Sequence, residues 1–418
     1  MKIRISTILM GIVVLAALAW SDWLKLGIGP DSKAVLPVIC ILGFMFCMIF
    51  CKHSMREMRR NMKFAYNIGF VIIVCFLIIF IYTLIAFPAQ SIKNTLTVSY
   101  SILGILLIYP LGCYLMIKED EEVIFKFMNA MACIWYIMVL MQKILYEISG
   151  TIILSGLYSD EDVLIRSSGI RIGLLIYGNI MLVYNFYKLY TGTAKSKIFT
   201  AFMVILGCYE VVAIQQTRMY TIILAVCLLL IVIFDRNTKA KFIRKILIFV
   251  LVIIAISQTD VVYNFFASFS ESGSLGVSTT NRLYAFNYYW NYWLEHPLFG
   301  MGFASEGAYY STVHGSLGTA YQSDTGFIGQ LSRLGLFIIP MYVVPVVRMC
   351  QITLKLKRKQ ATDWVLYFCI LAFILGTSIT LIIFSTHKTN MLYPVAIVLF
   401  EYRYYKEFKR QTDIYQEG

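Results

Sequence analysis

Three stretches of this chain, Ala34 to Cys51, Phe64 to Ile92 and Asn94 to Ile117, contain no charged residue. Each is close to or beyond the about 20 residues a helix needs to cross a bilayer. No soluble domain of any size fits between them, so they dictate a membrane protein. The whole chain agrees: of 418 residues 59% are hydrophobic and only 14% charged, and the mean hydropathy is +0.74. A soluble domain carries far more charge.

Applied along the sequence, the same length criterion of about 20 apolar residues predicts about twelve spans. They fall at 6–24, 34–51, 64–87, 95–117, 123–148, 169–190, 198–215, 218–234, 246–263, 324–349, 363–384 and 390–405. The expected fold is an all-α polytopic membrane protein in which residues 1–418 form a single integral membrane domain. Met1 to Trp20, with Lys2 and Arg4 ahead of an apolar stretch, has the look of a signal peptide. It lacks a small-x-small cleavage site and reads as an uncleaved first span.

Orientation follows from lysine and arginine in short loops. KHSMREMRRNMK (52–63), DRNTKAKFIRK (235–245), KLKRK (355–359) and the tail 403–410 fall on one side, which is then cytoplasmic, together with both termini. The acidic loop KEDEE (118–122) lands there too, against the trend, although acidic residues weigh little in this rule.

Cationic cytoplasmic loops account for the formal charge of +13, and no basic domain for nucleic acid is present. The ten cysteines lie in or at the ends of apolar spans, which indicates neither a disulfide framework nor a zinc site. The acidic triplet Asp160-Glu161-Asp162 reads as a solvated surface, so no metal and no cofactor is expected.

One segment breaks the alternation of span and short loop. Residues 258–323 are rich in Gly, Ser, Asn and Tyr and fall on the outer face. Loops of more than about 15 residues are uncommon without a function. Within it Ser278-Thr279-Thr280 supplies helix N-cap types, and no Gly or Pro follows until Pro297. A helix of about four turns is therefore expected, with Arg282, Phe286, Tyr289 and Trp293 on one face and Asn287 and Asn291 on another. Its tyrosines and tryptophans suit the membrane interface. His296-Pro297 ends it, and Gly300 and Gly302 permit a tight return.

An arginine-headed helix (NRLYAFNYYWNYWLE, 281–295), then HPLFGMGF (296–303), VHGSLG (313–318) and SDTGFIGQLSRLG (323–335) together resemble the O-antigen polymerase and O-antigen ligase superfamily. QQTRMYTIILAV (215–226) resembles its Ser/Thr-Arg pair opening a span, and RSSGIRIGLLIYGN (166–179) its Arg-x-x-Gly segment. The resemblance runs from Arg166 to Pro340, with Tyr177-Gly178-Asn179 where the family often has Pro-Asn.

The resemblance implies a GT-C-like membrane fold and a glycosyltransferase that moves glycan from a polyprenyl-diphosphate carrier on the outer face of a bacterial cytoplasmic membrane. The acceptor is another lipid-linked repeat unit for a polymerase, or a different acceptor for a ligase; the polymerase reading comes first, from Ser323-Asp324 and the modest loop. Donor, acceptor and bilayer would be its partners, with a flippase and a chain-length regulator of the same pathway. The product would be capsule, exopolysaccharide or O-antigen.

Such a reaction needs preorganised cations for the departing diphosphate, and arginine's planar fork suits phosphate. Arg218 and Arg282 are the expected catalytic cations, with Arg166 and Arg171 in reserve. His314 is the expected base for the acceptor hydroxyl, and Glu306 and Asp324 are alternates. Tyr289 and Trp293 offer faces on which sugars stack.

Plainer readings stand beside these. Arg282 can anchor the helix to lipid phosphates, and Arg218 can snorkel from the start of a span. His296 fits a turn, His314 an ordinary loop, and the aromatic run an interfacial belt. Glu210 and Arg333, inside expected spans, can simply hold helices together, Glu210 with Arg218 two turns on. The rival from another class is a lipid-linked oligosaccharide flippase or sugar exporter, against which stand the lack of internal repeats and the single polar loop. A membrane scaffold is the third reading, and the clustering of Arg and His on one face counts against it.

Overall fold

The computed structural model describes residues 4–20, 32–152, 163–166, 169–172, 176–215, 217–234, 276–379 and 391–409. The expected span at 246–263 and the basic loop at 235–245 lie outside these residues. Apolar sequence folds as helix almost throughout: α1 is Ile5–Trp20, α2 Ser32–Phe50, α3 Lys52–Asn61 and α4 Lys63–Ala86. Five described helices are long and apolar enough to cross a membrane, six if the bent pair α2 and α3 is one span. Three shorter apolar helices, among them α1, accompany them.

The segment KHSMREMRRNMK, expected as a loop, is instead the helix α3, bent 99° from α2. Ser54, Met55 and Met58 are buried, followed by Met62, while Lys52, Arg56, Arg59 and Arg60 are exposed. The i, i+3, i+7 spacing of Met55, Met58 and Met62 makes a narrow apolar stripe under a basic face, which lays the helix across one end of the bundle.

Ile92–Lys118 crosses as one passage of three parts: α5 (Ile92–Ser99), a 3-10 stretch (Tyr100–Leu107) and α6 (Ile108–Lys118). Pro110, which has no N–H to give Leu106 four residues back, follows the tightened stretch. This passage is the most buried of the long spans and packs against α1, α2 and α4. Next come α7 (Glu122–Ser149), α8 (Ile176–Tyr190), α9 (Lys197–Tyr209) with a π turn at Glu210–Gln215, and α10 (Arg218–Phe234).

The described spans are helical, as an all-α membrane protein requires. Beside them Val163–Arg166 (β1) and Gly169–Ile172 (β2) form an antiparallel hairpin with Arg166 opposite Gly169 and Leu164 opposite Arg171, and two of the expected spans need correction. The span expected at 169–190 therefore begins as a strand, because Ile170 and Ile172 bury at the two-residue period of a strand. The span expected at 324–349 is not one helix either. It is divided into Gly326–Leu334, a 3-10 turn at Gly335–Phe337, a π turn at Ile339–Val343 and a helix from Val344 to Arg358. Gly335 at φ 56° breaks the first helix, and the passage that meets the spanning criterion is Ile339–Arg358.

The remaining helices are α11 (Gly276–Glu295), α12 (Tyr310–His314), α13 (Gly326–Leu334), α14 (Val344–Arg358), α15 (Trp364–Thr377) and α16 (Leu392–Tyr404), which runs into a π turn at Tyr405–Lys409. Near the end of α16, Arg403 forks onto Asp363 at 2.8 and 2.9 Å and reaches Glu407 at 2.8 Å. Lys406 pairs with Glu121 at 3.0 Å, Lys188 with Glu122 at 2.6 Å, and Lys359 with Glu407 at 3.3 Å. The acidic loop 118–122 thus sits among the basic segments because its carboxylates neutralise them.

Candidate functional site

At the other end of α4 the chain from Thr83 to Gln90 receives the HPLFGMGF turn. Thr83 Oγ1 accepts from Phe303 N at 2.9 Å. Gln90 donates to Thr95 Oγ1 and to the Phe303 carbonyl, both at 2.8 Å, and accepts from Ser305 N at 2.7 Å. Tyr82 stacks on Phe299 with ring centres 4.3 Å apart. Gly300 and Gly302, at φ 61° and 57°, make the tight return expected of them. A Cβ on Gly300 would overlap the carbonyl of Ser332, which accepts from Met301 N at 2.8 Å, and one on Gly302 would overlap Thr83 Oγ1. Gly300 is needed because backbone meets backbone there, and Gly302 because the buried Thr83 hydroxyl stands against it.

Against this seam stands α11, two residues longer at its start than the N-cap signal suggested. It packs on α13. Ala285 and Tyr289 are buried at i, i+4 spacing and, with Phe87, Met301, Ala304, Val313 and Ala320, make a small second core. Asn287 and Asn291 are exposed on another face, as expected, and Leu283, Trp290 and Leu294 form an exposed apolar stripe.

The tyrosines of α11 hold the loop from Tyr309 to Tyr321. Tyr289 Oη lies 2.8 Å from the Val313 carbonyl and 3.0 Å from that of Ala320. Tyr288 donates to the Thr312 carbonyl at 2.7 Å, and Tyr284 Oη accepts from Leu317 N at 3.3 Å. Burial first, then the neighbouring tyrosine and the Glu306 and Asp324 carboxylates, pushes the Tyr289 phenol well up, so it stays a donor. The expected stacking of sugar on Tyr289 is corrected: its ring is fully buried, and its hydroxyl is engaged. Trp293 is half-buried against the main core, and its indole N–H has no partner among the described residues.

His314, at the end of α12, is buried. Its Nδ1 is 2.8 Å from the Ala320 carbonyl, which fixes a hydrogen on Nδ1 and turns Nε2 the other way. Nε2 faces Glu306 Oε1 at 3.4 Å, and Tyr310 and Tyr321 flank the ring at 4.6 and 5.2 Å. Arg282 Nε lies 4.0 Å from Asp324 Oδ2, with both side chains about half exposed. An exposed contact of that length is weak and leaves the guanidinium free to engage a stronger anion.

The fold thus brings Arg282, Asp324, Glu306, His314 and Tyr289 to one loop cluster. Arg218 is the first residue of α10, and Arg166 and Arg171 stand in β1 and β2; their side chains lie outside the described residues. Arg333 donates to the Val98 carbonyl at 2.6 Å and lies 5.5 Å from the Phe303 ring, so it ties α13 to α5. Glu210 is buried in the π turn with neither oxygen partnered among the described residues. Among those residues no three His, Cys, Asp or Glu side chains converge as metal ligands, and 160–162 lie outside them. Thr83 and Gln90, which hold the site from more than 200 positions away, carried no signal in the sequence.

Residues 201–343 match the family model of O-antigen ligase. The matched segment contains Arg218, Arg282, Glu306, His314 and Asp324, and it leaves the hairpin with Arg166 and Arg171 outside. No curated protein matches the chain.

Proposed function

We propose, from the match of residues 201–343 to the family model of O-antigen ligase, that this chain is a membrane glycosyltransferase. It joins polyprenyl-diphosphate-linked oligosaccharides at the outer face of the cytoplasmic membrane, with no metal. The bond from the anomeric carbon to the diphosphate oxygen breaks, and a bond to the acceptor hydroxyl oxygen forms. The hydroxyl proton passes to His314 Nε2, and the charge left on the diphosphate is taken up by Arg282 and Arg218, with Arg166 and Arg171 in reserve.

The observation that carries this reading is the His314 environment. A ring with Nδ1–H given to the Ala320 carbonyl has Nε2 as its base, and Glu306 at 3.4 Å stabilises the imidazolium that forms. Two further features support an active loop at the membrane surface. Arg282 lies exposed beside it, and the Leu283, Trp290 and Leu294 stripe suits contact with lipid. The family description favours a second reading, transfer of glycan to a different acceptor by a ligase.

The test uses purified protein in lipid vesicles with lipid-linked repeat units of its host and a chelator. A size ladder is expected, lost by about 100-fold or more in Arg282→Ala and His314→Ala and reduced about tenfold or more in Glu306→Gln. Single additions only when a second acceptor is supplied would establish the ligase. Full activity in folded Arg282→Ala and His314→Ala would refute these assignments, and movement of intact units across the bilayer without transfer would make the protein a flippase.

A further inference from the structure

The opposite end of α4 from the loop carries an open recess of about 600 Å³ between the starts of α4 and α14 and the end of α16. Phe64, Val347 and Tyr404 are among its walls, and Lys63, Arg348 and Lys409 bring positive charge to it. One carboxylate, Glu401, opposes them, and it is committed: Arg348 holds its two oxygens at 2.5 and 3.4 Å. The guanidinium of Arg348 also lies 4.7 Å from the Tyr404 ring and 5.7 Å from that of Phe64, so it serves as wall. Lys409 gives one hydrogen bond, to the Asn61 carbonyl at 3.0 Å, and Lys63 makes no ion pair among the described residues.

Asn61 is also the last residue of α3, so Lys409 joins the cavity to that helix. The exposed Lys52, Arg56, Arg59 and Arg60 of α3 extend the positive surface. Charge placed only to orient a membrane protein needs bulk water and no recess. Here two ammonium groups, Lys63 without an ion pair among the described residues and Lys409 held by one carbonyl, line a recess that also has aromatic and aliphatic walls. A soluble anion has no use for such walls, and a lipid without net charge has no use for both lysines.

We propose that this cavity binds the headgroup of an anionic phospholipid, with Lys63 and Lys409 on its phosphate and Phe64, Val347 and Tyr404 against its first methylenes. The basic face of α3 rests among neighbouring headgroups, as a basic amphipathic helix does at an anionic leaflet. This assignment is independent of the transferase chemistry at the other end of α4.

Native mass spectrometry and thermal melting of the delipidated full chain in detergent, titrated with phosphatidylglycerol, phosphatidylcholine or inorganic phosphate, test it. Phosphatidylglycerol is expected to bind at a concentration at least about tenfold lower than phosphatidylcholine and to raise the melting temperature. Lys63→Gln with Lys409→Gln is expected to weaken it about 25-fold, about fivefold per lysine, while Lys357→Gln with Arg358→Gln changes it less than about twofold. Lys63→Arg with Lys409→Arg keeps the charge and should retain binding, which separates lost recognition from lost folding. Equal binding of the two lipids, equal losses in the two glutamine pairs, or competition by inorganic phosphate at the concentration at which the lipid binds would each overturn the proposal.

Discussion

The phenol of Tyr289, buried in the middle of α11, is hydrogen-bonded at 2.8 Å to the carbonyl of Val313, the residue before His314. The same hydroxyl lies 3.0 Å from the carbonyl of Ala320, which also takes the Nδ1 hydrogen of His314. One side chain of the helix therefore sets both ends of the turn that orients the histidine.

Tyr289→Phe keeps the packing and removes this donor. Leaving the loop carbonyls short of a partner costs about 1–3 kcal/mol. The expected outcome is a lower melting temperature and a larger loss of transfer than in Tyr288→Phe, whose ring is only half-buried. Because burial raises the folded pKa of Tyr289, its contribution is present below the ordinary tyrosine range and falls as pH rises through it. The alkaline loss of stability should be shallower in Tyr289→Phe.

Gly300→Ala sets a Cβ against the Ser332 carbonyl at a backbone conformation, φ 61°, that disfavours it. Backbone on both sides of the contact cannot yield cheaply, and about 2 kcal/mol or more of destabilisation is expected. Gly307→Ala, where the nearest atom is Ser305 Oγ at 3.8 Å, should melt like the parent protein. Equal melting of both variants would remove the seam from the account of HPLFGMGF.

Gln90 is buried and uses both ends of its amide, so its substitutions discriminate. Gln90→Leu leaves Ser305 N–H and the Phe303 carbonyl unpaired, for about 1–3 kcal/mol. Gln90→Glu retains the acceptor for Ser305 and places a second oxygen against the Phe303 carbonyl and Thr95, so it should be no better at neutral pH. Thermal melting of the two variants checks this, and a neutral Gln90→Glu would show that the clamp is unimportant.

The parts of the fold that the residues announced are those governed by local pattern. Lys63–Ala86 and Glu122–Ser149 lie close to their expected limits because a long, predominantly apolar run has only helix open to it in lipid. The α11 helix and the Gly300 and Gly302 return were legible for the same kind of reason, cap and breaker residues acting over a few positions. The span at 324–349 misled because apolar residues continue through Gly335, where the break comes from close approach of the Leu298 carbonyl, 37 positions earlier.

Residue type and order alone specified a membrane chain with a polar segment that carries Arg282, Glu306, His314 and Asp324, since charge, length and side-chain type are properties of residues. Only the tertiary structure decided that His314 presents Nε2, that Tyr289 is a strut and not a sugar platform, and that Gln90 holds the loop. Those outcomes depend on hydrogen bonds between segments far apart in the chain, and a buried donor is satisfied by whichever acceptor folding brings to it.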